Sequence, residues 1–479
     1  MGNKGTDMDR RKFLKVLGGG ALATAALASG CKGEERQGAE GYELGEVPTD
    51  KMTYRENRHG EKVSLLGYGC MRLPTVGGVS AREDGAEIDQ EQVNRLTDYA
   101  IAHGVNLFDT APPYCKGKSE HVMGIALRRH KREEYYVSSK MSNFPPNTWS
   151  REESIKIYQN TLKELQIDYI DYMMLHSIGG TSRDLDGNDL DPMQTFEARF
   201  IDNGILDFLM EEREKGRIRN LGFSYHGDVR VFDRAVAMND TVHWDHVLIQ
   251  HNYVDWHHEE IEQGGDADSE YMYNTLAALD IPMFVMEPLR GGTLATLYDA
   301  ATEELKRREP NATIASWAFR FAGMQPKILT VLSGMTYMEH LQDNIRTYSP
   351  LKPLNEEELA ALEGIAHQMA HFPTVPCTGC QYCMPCRFGI DIPSIFAHYN
   401  KCVNEGHMAL KADEDADRRA YRKARREFLV GYDRKVPRLR QADHCIGCGE
   451  CVHKCPQKID IAAEMRRIDA YAEKLKINK

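Results

Sequence analysis

Short apolar runs alternate with amphipathic segments through the middle of this chain. Runs of this length are typical of buried strands, and the segments between them have helical spacing. Eight runs are found, at residues 63–66, 105–108, 135–139, 172–175, 218–223, 247–249, 283–286 and 329–332. Strands that alternate with helices pair in parallel. The pattern therefore predicts an α/β fold and, at this length, a closed (β/α)8 (TIM) barrel.

Helix ends and glycine positions also favour the barrel. Helices are marked at residues 92–103, which Gly104 closes, and at residues 119–129. An open doubly wound sheet is the alternative. It is disfavoured because Gly67-Tyr68-Gly69-Cys70-Met71, after the first run, lacks the third glycine of the dinucleotide-binding fingerprint.

Length and charge limit the possible architectures and partners. The chain has 479 residues and a net charge of -12, and nothing in that balance suggests nucleic acid. About 300 residues lie between the two ends described below, which suits one barrel. We expect a signal at residues 1–31, a linker at 32–52, the barrel at 53–372 and a cysteine-rich domain at 373–479.

The N-terminal residues resemble a twin-arginine export signal. Arg10 and Arg11 precede an apolar stretch, residues 16–28, that is too short to span a bilayer permanently. Residues 27–31 resemble a lipobox, which would make Cys31 a lipid anchor, although residues 26–28 also satisfy the rule for ordinary signal cleavage. We expect export by the twin-arginine route, either to the periplasm or as a lipoprotein that touches the membrane only through Cys31.

Eight of the twelve cysteines form two tight runs near the C-terminus. The first run contains Cys377, Cys380, Cys383 and Cys386, and the second contains Cys445, Cys448, Cys451 and Cys455. The spacing C-x2-C-x2-C lets three thiolates surround one 4Fe-4S core, and in two-cluster ferredoxins the last cysteine of each run binds the other cluster. We therefore expect a small ferredoxin-like domain with two 4Fe-4S clusters, in which Cys455 joins the first run and Cys386 joins the second.

Two other readings of these cysteines are weaker. Structural zinc saturates with four ligands and usually separates its pairs by a longer loop, and disulfide frameworks belong to small secreted domains. Cys386 departs from the usual pattern, because Pro385 precedes it and the last spacing is two residues. Metal binding at His257 and His258 has weak support. Three cysteines outside the runs are interpreted as packed side chains, namely Cys70, Cys115 and Cys402.

Four polar side chains stand at or just beyond predicted strand ends, where barrel enzymes build their sites. They are Asp109, Tyr114, Lys140 and His176. Each alone has a structural explanation, such as a helix cap or a satisfied core histidine. Together, in this order and context, they resemble the catalytic pattern of the aldo/keto reductase superfamily. The resemblance covers residues 55–350, and the cysteine region resembles the ferredoxin-containing branch of that family.

The resemblance implies hydride transfer between a nicotinamide cofactor and a carbonyl or alcohol substrate. Tyr114 would be the acid in reduction and, as tyrosinate, the base in oxidation. Free tyrosine has a pKa of about 10. We expect the Lys140 ammonium to lower the pKa of Tyr114, Asp109 to hold Lys140, and His176 to orient the substrate oxygen. Residues 179–199 are expected to form part of the substrate wall.

Five positions match the family's cofactor contacts. They are Ser224 and Gln250 for the nicotinamide amide, Leu289 after the seventh strand, and Ser333 and Asn344 near the adenosine phosphate. Tyr225 and Met286 depart from the family pattern. Gly334 and His340 replace the basic residues that read the 2'-phosphate of NADP, so the choice between NADP and NAD is open.

Three classes of function stay open. The leading one is an oxidoreductase acting on a carbonyl or alcohol, including sugars, and coupled through its clusters to a redox partner protein. An exported enzyme meets little free nicotinamide cofactor, so we expect a tightly held, recycled one. The second class is an iron-sulfur electron-transfer protein with a catalytically degenerate barrel. In the third class, the clusters are purely structural.

Overall fold

The computed structural model describes residues 46–257, 269–371, 374–405, 407–408 and 418–477. The predicted signal at 1–31, with Cys31, lies outside the described residues, as do linker residues 32–45 and His258. The end of the predicted linker is structured, because Val47 packs against the barrel core and Met52 is 7% exposed. None of the described helices combines the length and apolar character needed to cross a membrane.

The strands have a simple arrangement in the described part of the chain. They are β1 (Tyr54–Glu56), β2 (Lys62–Ser64), β3 (Leu66–Gly69), β4 (Leu107–Asp109), β5 (Tyr136–Met141), β6 (Ile170–Ile178), β7 (Ser182–Arg183), β8 (Asp189–Leu190), β9 (Ile218–Tyr225), β10 (His246–Gln250), β11 (Met283–Met286) and β12 (Ile328–Ser333). Eight of them close a barrel in the order β10-β11-β12-β3-β4-β5-β6-β9, and every pair is parallel. The predicted (β/α)8 barrel is confirmed.

An antiparallel hairpin of β1 and β2 precedes the barrel. Val63 in β2 is fully buried and packs with Leu107, Tyr172 and Phe284 inside the barrel. Asn57 Nδ2 donates to the Tyr172 hydroxyl at 2.9 Å. The hairpin therefore covers the N-terminal end of the barrel. The predicted first strand at 63–66 is wrong in its bounds, because Val63 fills this end and the first barrel strand begins at Leu66.

Helices separate the barrel strands and surround them. Those of the described barrel region are α1 (Gln90–Ala102), α2 (Ser119–Leu127), α3 (Arg151–Leu165), α4 (Pro192–Phe196), α5 (Ile205–Glu214), α6 (Val229–Ala237), α7 (Asn239–Val242), α8 (Ser269–Ala278), α9 (Asp299–Arg308), α10 (Ile314–Met324), α11 (Met338–Thr347) and α12 (Glu356–His371). The apolar faces of most of these helices join the outer strand faces in one large core, and α9 and α12 pack in a separate apolar cluster.

Helix α3 illustrates how local sequence sets these elements. The Ser150 hydroxyl accepts a hydrogen bond from the Glu153 amide at 3.2 Å and caps the first turn. The buried residues recur every three or four positions and so share one face, at Ser154, Tyr158, Thr161 and Leu165. Gln166 ends the helix in the left-handed conformation, with φ 57°.

The loop after β6, predicted as part of the substrate wall, has structure of its own. It contains the β7–β8 hairpin, α4 and a π-helical turn at Glu197–Ile201. This turn carries the buried Arg199 back to the end of β6, where the Arg199 guanidinium donates to the His176 carbonyl at 2.9 Å.

The cysteine-rich region has a separate apolar core. Three helices supply most of it, α13 (Ile392–Asn404), α14 (Arg418–Lys435) and α15 (Ile461–Ile477). Phe396, Phe428 and Met465 are fully buried between them. The two cysteine runs lie in the loops that precede α13 and α15.

Candidate active site

Asp109 and Lys140 form a buried ion pair at the C-terminal end of the barrel. Asp109 ends β4 and is 3% exposed, and Lys140 lies in β5 and is 1% exposed. Lys140 Nζ donates to Asp109 Oδ1 at 2.8 Å, to Oδ2 at 2.7 Å and to the Thr110 carbonyl at 2.8 Å. The Ser138 hydroxyl donates to Asp109 Oδ1 at 2.8 Å. These acceptors fix the position of the ammonium group.

Tyr114 and His176 lie beside this pair. Lys140 Nζ is 4.7 Å from the centre of the Tyr114 ring, and the ring centres of Tyr114 and His176 are 6.0 Å apart. His176 is 4% exposed, and its Nδ1 lies 2.6 Å from the Ser142 hydroxyl, which orients the imidazole. The structure thus brings the four predicted residues together.

Burial sets the protonation states of both rings. Burial, and then the Asp109 carboxylate, raises the pKa of Tyr114 well above its ordinary value of 10.0. The net shift is opposite to the predicted one, because desolvation of the phenolate outweighs the attraction of nearby cations. Burial and the Lys140 charge hold the pKa of His176 well below 6.5. At neutral pH, Tyr114 is a protonated phenol and His176 a neutral imidazole.

Two residues that support this group were missed by sequence reasoning. Ser142 follows Lys140 by two positions and reaches His176, as described above. Arg199 is 4% exposed, donates to the carbonyls of His176 and Ser177, and lies 4.7 Å from the Phe144 ring centre. Burial lowers the pKa of Arg199 to about 9. No motif marks either residue, and only the position of Arg199 in the predicted wall segment pointed to it.

The positions predicted to hold a nicotinamide amide lie on adjacent strands. Ser224 in β9 accepts a hydrogen bond from the Ser177 amide at 2.7 Å. Gln250 ends β10, and its Nε2 donates to Asp255 Oδ2 at 2.6 Å. Leu248 in β10 lies opposite Ser224 in the sheet. Gln250 follows Leu248 by two residues, so it is on the same face of β10 and two residues closer to the C-terminal end of the barrel than the position opposite Ser224. Both side chains are at the C-terminal end of the barrel.

The other predicted cofactor contacts lie at β11 and β12. Leu289 follows β11 and is half-buried against the barrel core. Ser333 ends β12, and its hydroxyl accepts a hydrogen bond from Asn344 Nδ2 at 2.9 Å. Arg72 lies beside this loop, since its Cδ would be 3.5 Å from a Cβ placed on Gly334. A basic side chain from a different loop therefore lies next to Gly334.

The eight cysteines of the two runs divide into two sets. The inner set is Cys377, Cys380, Cys383 and Cys455, and the outer set is Cys386, Cys445, Cys448 and Cys451. The four inner cysteines line one small pocket. Burial raises the pKa of Cys451 to about 11, and Cys445, Cys386 and Cys448 add to the rise, which places these four thiols close together. The fourth cysteine of each set comes from the other run, as the spacing predicted.

Each set supplies four thiols, the number that a 4Fe-4S cubane needs, because a cubane binds each cysteine at a different iron. Tetrahedral zinc also takes four ligands. Among the described residues, no three His, Cys, Asp or Glu side chains form a site for a single metal ion.

The loop that carries the inner set lies against the C-terminal end of the barrel. The Thr378 carbonyl accepts a hydrogen bond from Arg72 Nη2 at 3.1 Å. A Cβ placed on Gly291 would be 2.5 Å from the Thr378 Cα. Gln457, two residues after Cys455, donates to Gln250 Oε1 at 3.3 Å. The cysteine region therefore covers two of the segments predicted to contact a cofactor.

The remaining predictions concern single side chains. The described cysteines outside the runs, Cys70, Cys115 and Cys402, are at most 3% exposed, as expected for packed side chains. His257 pairs with Glu270 at 3.2 Å.

Comparisons with known proteins agree with this description. The aldo/keto reductase family profile matches residues 66–367, more than half of the chain, and the 4Fe-4S dicluster domain profile matches residues 376–459. An uncharacterized oxidoreductase of Bacillus subtilis, YqkF, is 24% identical over 331 residues, which are 64% of this chain and 94% of the relative. Protein tas of Escherichia coli is 26% identical over 371 residues, covering 67% of this chain and 99% of the relative.

Solved structures resemble the barrel portion. An aldo-keto reductase from Klebsiella pneumoniae in complex with NADPH is 20% identical, with a TM-score of 0.48, and the match covers 66% of this chain and 95% of that one. The family profile, over the residues that contain the buried Asp109–Lys140 pair and its neighbours, assigns the barrel. The chain belongs to the aldo/keto reductase family and carries a C-terminal 4Fe-4S dicluster domain.

Proposed function

We propose that this oxidoreductase interconverts a carbonyl compound and its alcohol with a nicotinamide cofactor and exchanges electrons with a partner through two 4Fe-4S clusters. The observation that carries the proposal is the convergence of Tyr114, Lys140, Asp109 and His176 at the C-terminal end of the barrel. Three of these residues are almost fully buried, so their charges act in a medium that screens them weakly.

Tyr114 is the proposed proton donor in reduction. Its raised pKa keeps the phenol protonated at neutral pH, so a proton is available for the developing alkoxide. The Lys140 ammonium, held by Asp109, stabilises the tyrosinate that remains after the transfer. His176, neutral and oriented by Ser142, donates a hydrogen bond to the substrate oxygen without adding a charge.

The residues present suit a nicotinamide cofactor across the barrel mouth. Ser224 and Gln250 offer hydroxyl and amide groups at one end, and Arg72 beside Gly334 offers a positive charge for a phosphate at the other. When bound, such a cofactor supplies the hydride. Thr378 and Gln457 lie over these segments and would enclose the cofactor, which supports retention and recycling. The positive charge of Arg72 would allow NADP to bind. In contrast, the replacement of the family's basic residues by Gly334 and His340 favours NAD.

The two cysteine sets suggest an ordered electron path. The inner set is next to the barrel mouth, because Thr378 in its loop touches Arg72 and Gly291. Burial raises the pKa of Cys383, and both Cys455 of its own set and Cys451 of the outer set add to the rise, so the two sets are neighbours. Cys448 of the outer set is exposed, which makes this set the one that a redox partner protein would reach.

The proposed cellular setting comes from the N-terminal sequence. Residues 1–31 would direct export of the folded protein by the twin-arginine route, and Cys31 would anchor it as a lipoprotein if it is lipidated. A cofactor enclosed before export would travel with the protein. An electron partner outside the cytoplasm would then complete each cycle.

A second candidate is an electron-transfer protein whose barrel has lost catalysis. It is favoured by Gln250, whose side-chain amide and oxygen are both engaged, by Asp255 and Gln457. In that case Tyr114 and Lys140 would be structural remnants, and their substitution would leave every redox property of the protein unchanged.

The test is anaerobic purification of the full protein, with iron, sulfide and acid-extracted nicotinamide nucleotide quantified together. Wild type is then compared with Tyr114→Phe, and with Tyr54→Phe as a control because Tyr54 is 42% exposed and lies in the hairpin at the N-terminal end of the barrel. We expect Tyr114→Phe to retain nucleotide and clusters but to lose turnover of a panel of sugars, aldehydes and their alcohols. Absence of nucleotide from the extract, or full activity of Tyr114→Phe, would refute the proposal.

A further inference from the structure

Arg82 lies in the loop between β3 and α1 and has an unpaired guanidinium nitrogen. Its Nη1 is buried and has no hydrogen-bond partner among the described residues. The side chain as a whole is half-buried. A buried charged donor without an acceptor costs folding free energy, so its retention calls for a ligand that supplies the acceptor.

The position of Arg82 connects it to the active site. The Arg82 guanidinium carbon is 5.3 Å from the ring centre of Tyr382, a residue between Cys380 and Cys383. Its charge opposes the rise in the pKa of Tyr114 that burial causes, so it lies near the proposed proton donor. Arg82 therefore lies close to both the inner cysteine loop and the proposed proton donor.

The acidic residues around Arg82 are engaged with other groups. Glu287 accepts a hydrogen bond from the Gly291 amide at 2.6 Å. Asp84 pairs with Lys116 at 3.0 Å, and Glu83 accepts a hydrogen bond from the Ser80 amide at 3.4 Å. Within the described residues, no carboxylate lies within salt-bridge distance of Arg82. The charge of Arg82 acts on Glu287 and Cys380 at longer range, and its Nη1 donor is left for a ligand.

We propose that Arg82 binds a carboxylate of the substrate, so that the substrate is an acidic carbonyl compound such as a uronic acid or an oxo acid. A guanidinium presents two parallel N–H groups that match a carboxylate. The substrate is a better source of the anion than the dinucleotide, because Arg82 lies near the proposed proton donor Tyr114, whereas Arg72 lies beside Gly334 and already donates to the Thr378 carbonyl. This inference rests on the proposed function for the identity of the reacting group.

The experiment measures binding separately from turnover. Isothermal titration uses the anaerobic full-length holoprotein carrying Tyr114→Phe, and its probes are the matched pairs D-glucuronate with D-glucose and 2-oxobutyrate with 2-butanone. Each acid should bind more tightly than its neutral partner. Arg82→Gln should weaken acid binding about 10- to 100-fold, since hydrogen bonds to charged groups are strong, and leave the neutral probes unchanged. Arg82→Lys should give an intermediate loss.

The control is Arg95→Gln, because Arg95 lies on the surface of α1 in an i,i+4 pair with Glu91. This variant should match the parent for all probes. Failure of every acid to bind, or equal losses for acids and neutral probes in Arg82→Gln, would overturn the inference. It would also be overturned if Arg82→Gln weakened 2'-AMP but no acid, because the anion would then be a cofactor phosphate, or if it changed only the spectra of the clusters.

The two proposals fail in different ways. Turnover of neutral carbonyl compounds with kcat/KM unaffected by Arg82→Gln would remove the acidic substrate and leave the reductase function standing. Acid binding that depends on Arg82 in a protein that turns over no carbonyl compound would keep the subsite and remove the reductase function.

Discussion

Thr378 of the inner cysteine loop lies so close to Gly291 of the barrel that a Cβ on the glycine would be 2.5 Å from the Thr378 Cα. The two residues are 87 positions apart in sequence, and their contact fixes the cysteine region on the barrel mouth.

Gly291→Ala should loosen this contact. Gly291 has φ +67° and touches Thr378, whereas Gly292 has φ +101° and nothing within 4 Å of its would-be Cβ. Both alanine variants suffer backbone strain of about 1–2 kcal/mol. Only Gly291→Ala adds a clash, so it should raise hydrogen exchange in residues 374–383, measured by mass spectrometry, well above the level in Gly292→Ala. Equal exchange in the two variants would contradict the contact.

Single substitutions in the buried Asp109–Lys140 pair should lower the free energy of unfolding by more than their combination would suggest. Lys140→Met or Asp109→Asn removes one partner and leaves the other buried group poorly matched, at a cost of about 3–5 kcal/mol in the free energy of unfolding. Asp109→Leu combined with Lys140→Met should recover much of that loss, because no charge remains. Chemical denaturation measures all three variants. Strictly additive losses would show that the residues act independently.

The pH dependence of catalysis should follow the raised pKa of Tyr114 and the lowered pKa of His176. Reduction needs the protonated phenol, so its rate should stay flat from about pH 6 to pH 9. Oxidation needs the phenolate, whose fraction grows about tenfold per pH unit below its pKa, so its rate should rise with pH. No step should occur near 6.5, where an unperturbed histidine titrates. Initial rates in both directions test this, and a fall in reduction near pH 7 would contradict it.

The last cysteine of each run belongs to the set formed by the other run. Cysteine variants should therefore have similar cluster signals when they belong to the same set, not when they belong to the same run. Cys455→Ala should disturb the same cluster as Cys377→Ala, and Cys386→Ala the same cluster as Cys445→Ala. Electron paramagnetic resonance of the reduced protein, with iron content, measures this, and each variant should lose up to about four iron atoms. Cys402→Ala serves as the control, because Cys402 is buried, belongs to neither set and lies with its Sγ 3.6 Å from His398 Nε2. A signal shared by Cys455→Ala and Cys445→Ala would contradict this grouping.

Much of the fold and of the central group could be predicted because each signal is local. Asp109 ends β4 and Lys140 lies one residue before the end of β5, and parallel strand ends meet at one rim, so short motifs were enough to bring these side chains together. The cysteine spacing was equally local. By contrast, Val63 looked like part of a barrel strand because burial inside the barrel end gives the same apolar signal as burial in a strand.

Features that depend on long-range contacts could not be predicted. Arg199 reaches β6 only through a π-helical turn, and Arg82 is unpaired only because neighbouring carboxylates have other partners. The direction in which the pKa of Tyr114 shifts depends on how deeply the phenol is buried, and no sequence motif indicates that burial.

The crossed arrangement of the two cysteine sets also governs how the protein is made. Cys386 of the first run belongs with the second, and Cys455 of the second belongs with the first. The outer set lacks a ligand until codon 451 has been translated, and the inner set lacks one until codon 455. In the proposed function, iron and sulfide would therefore be inserted only after both runs have been made, and a product truncated between the runs would mature with no complete centre at all.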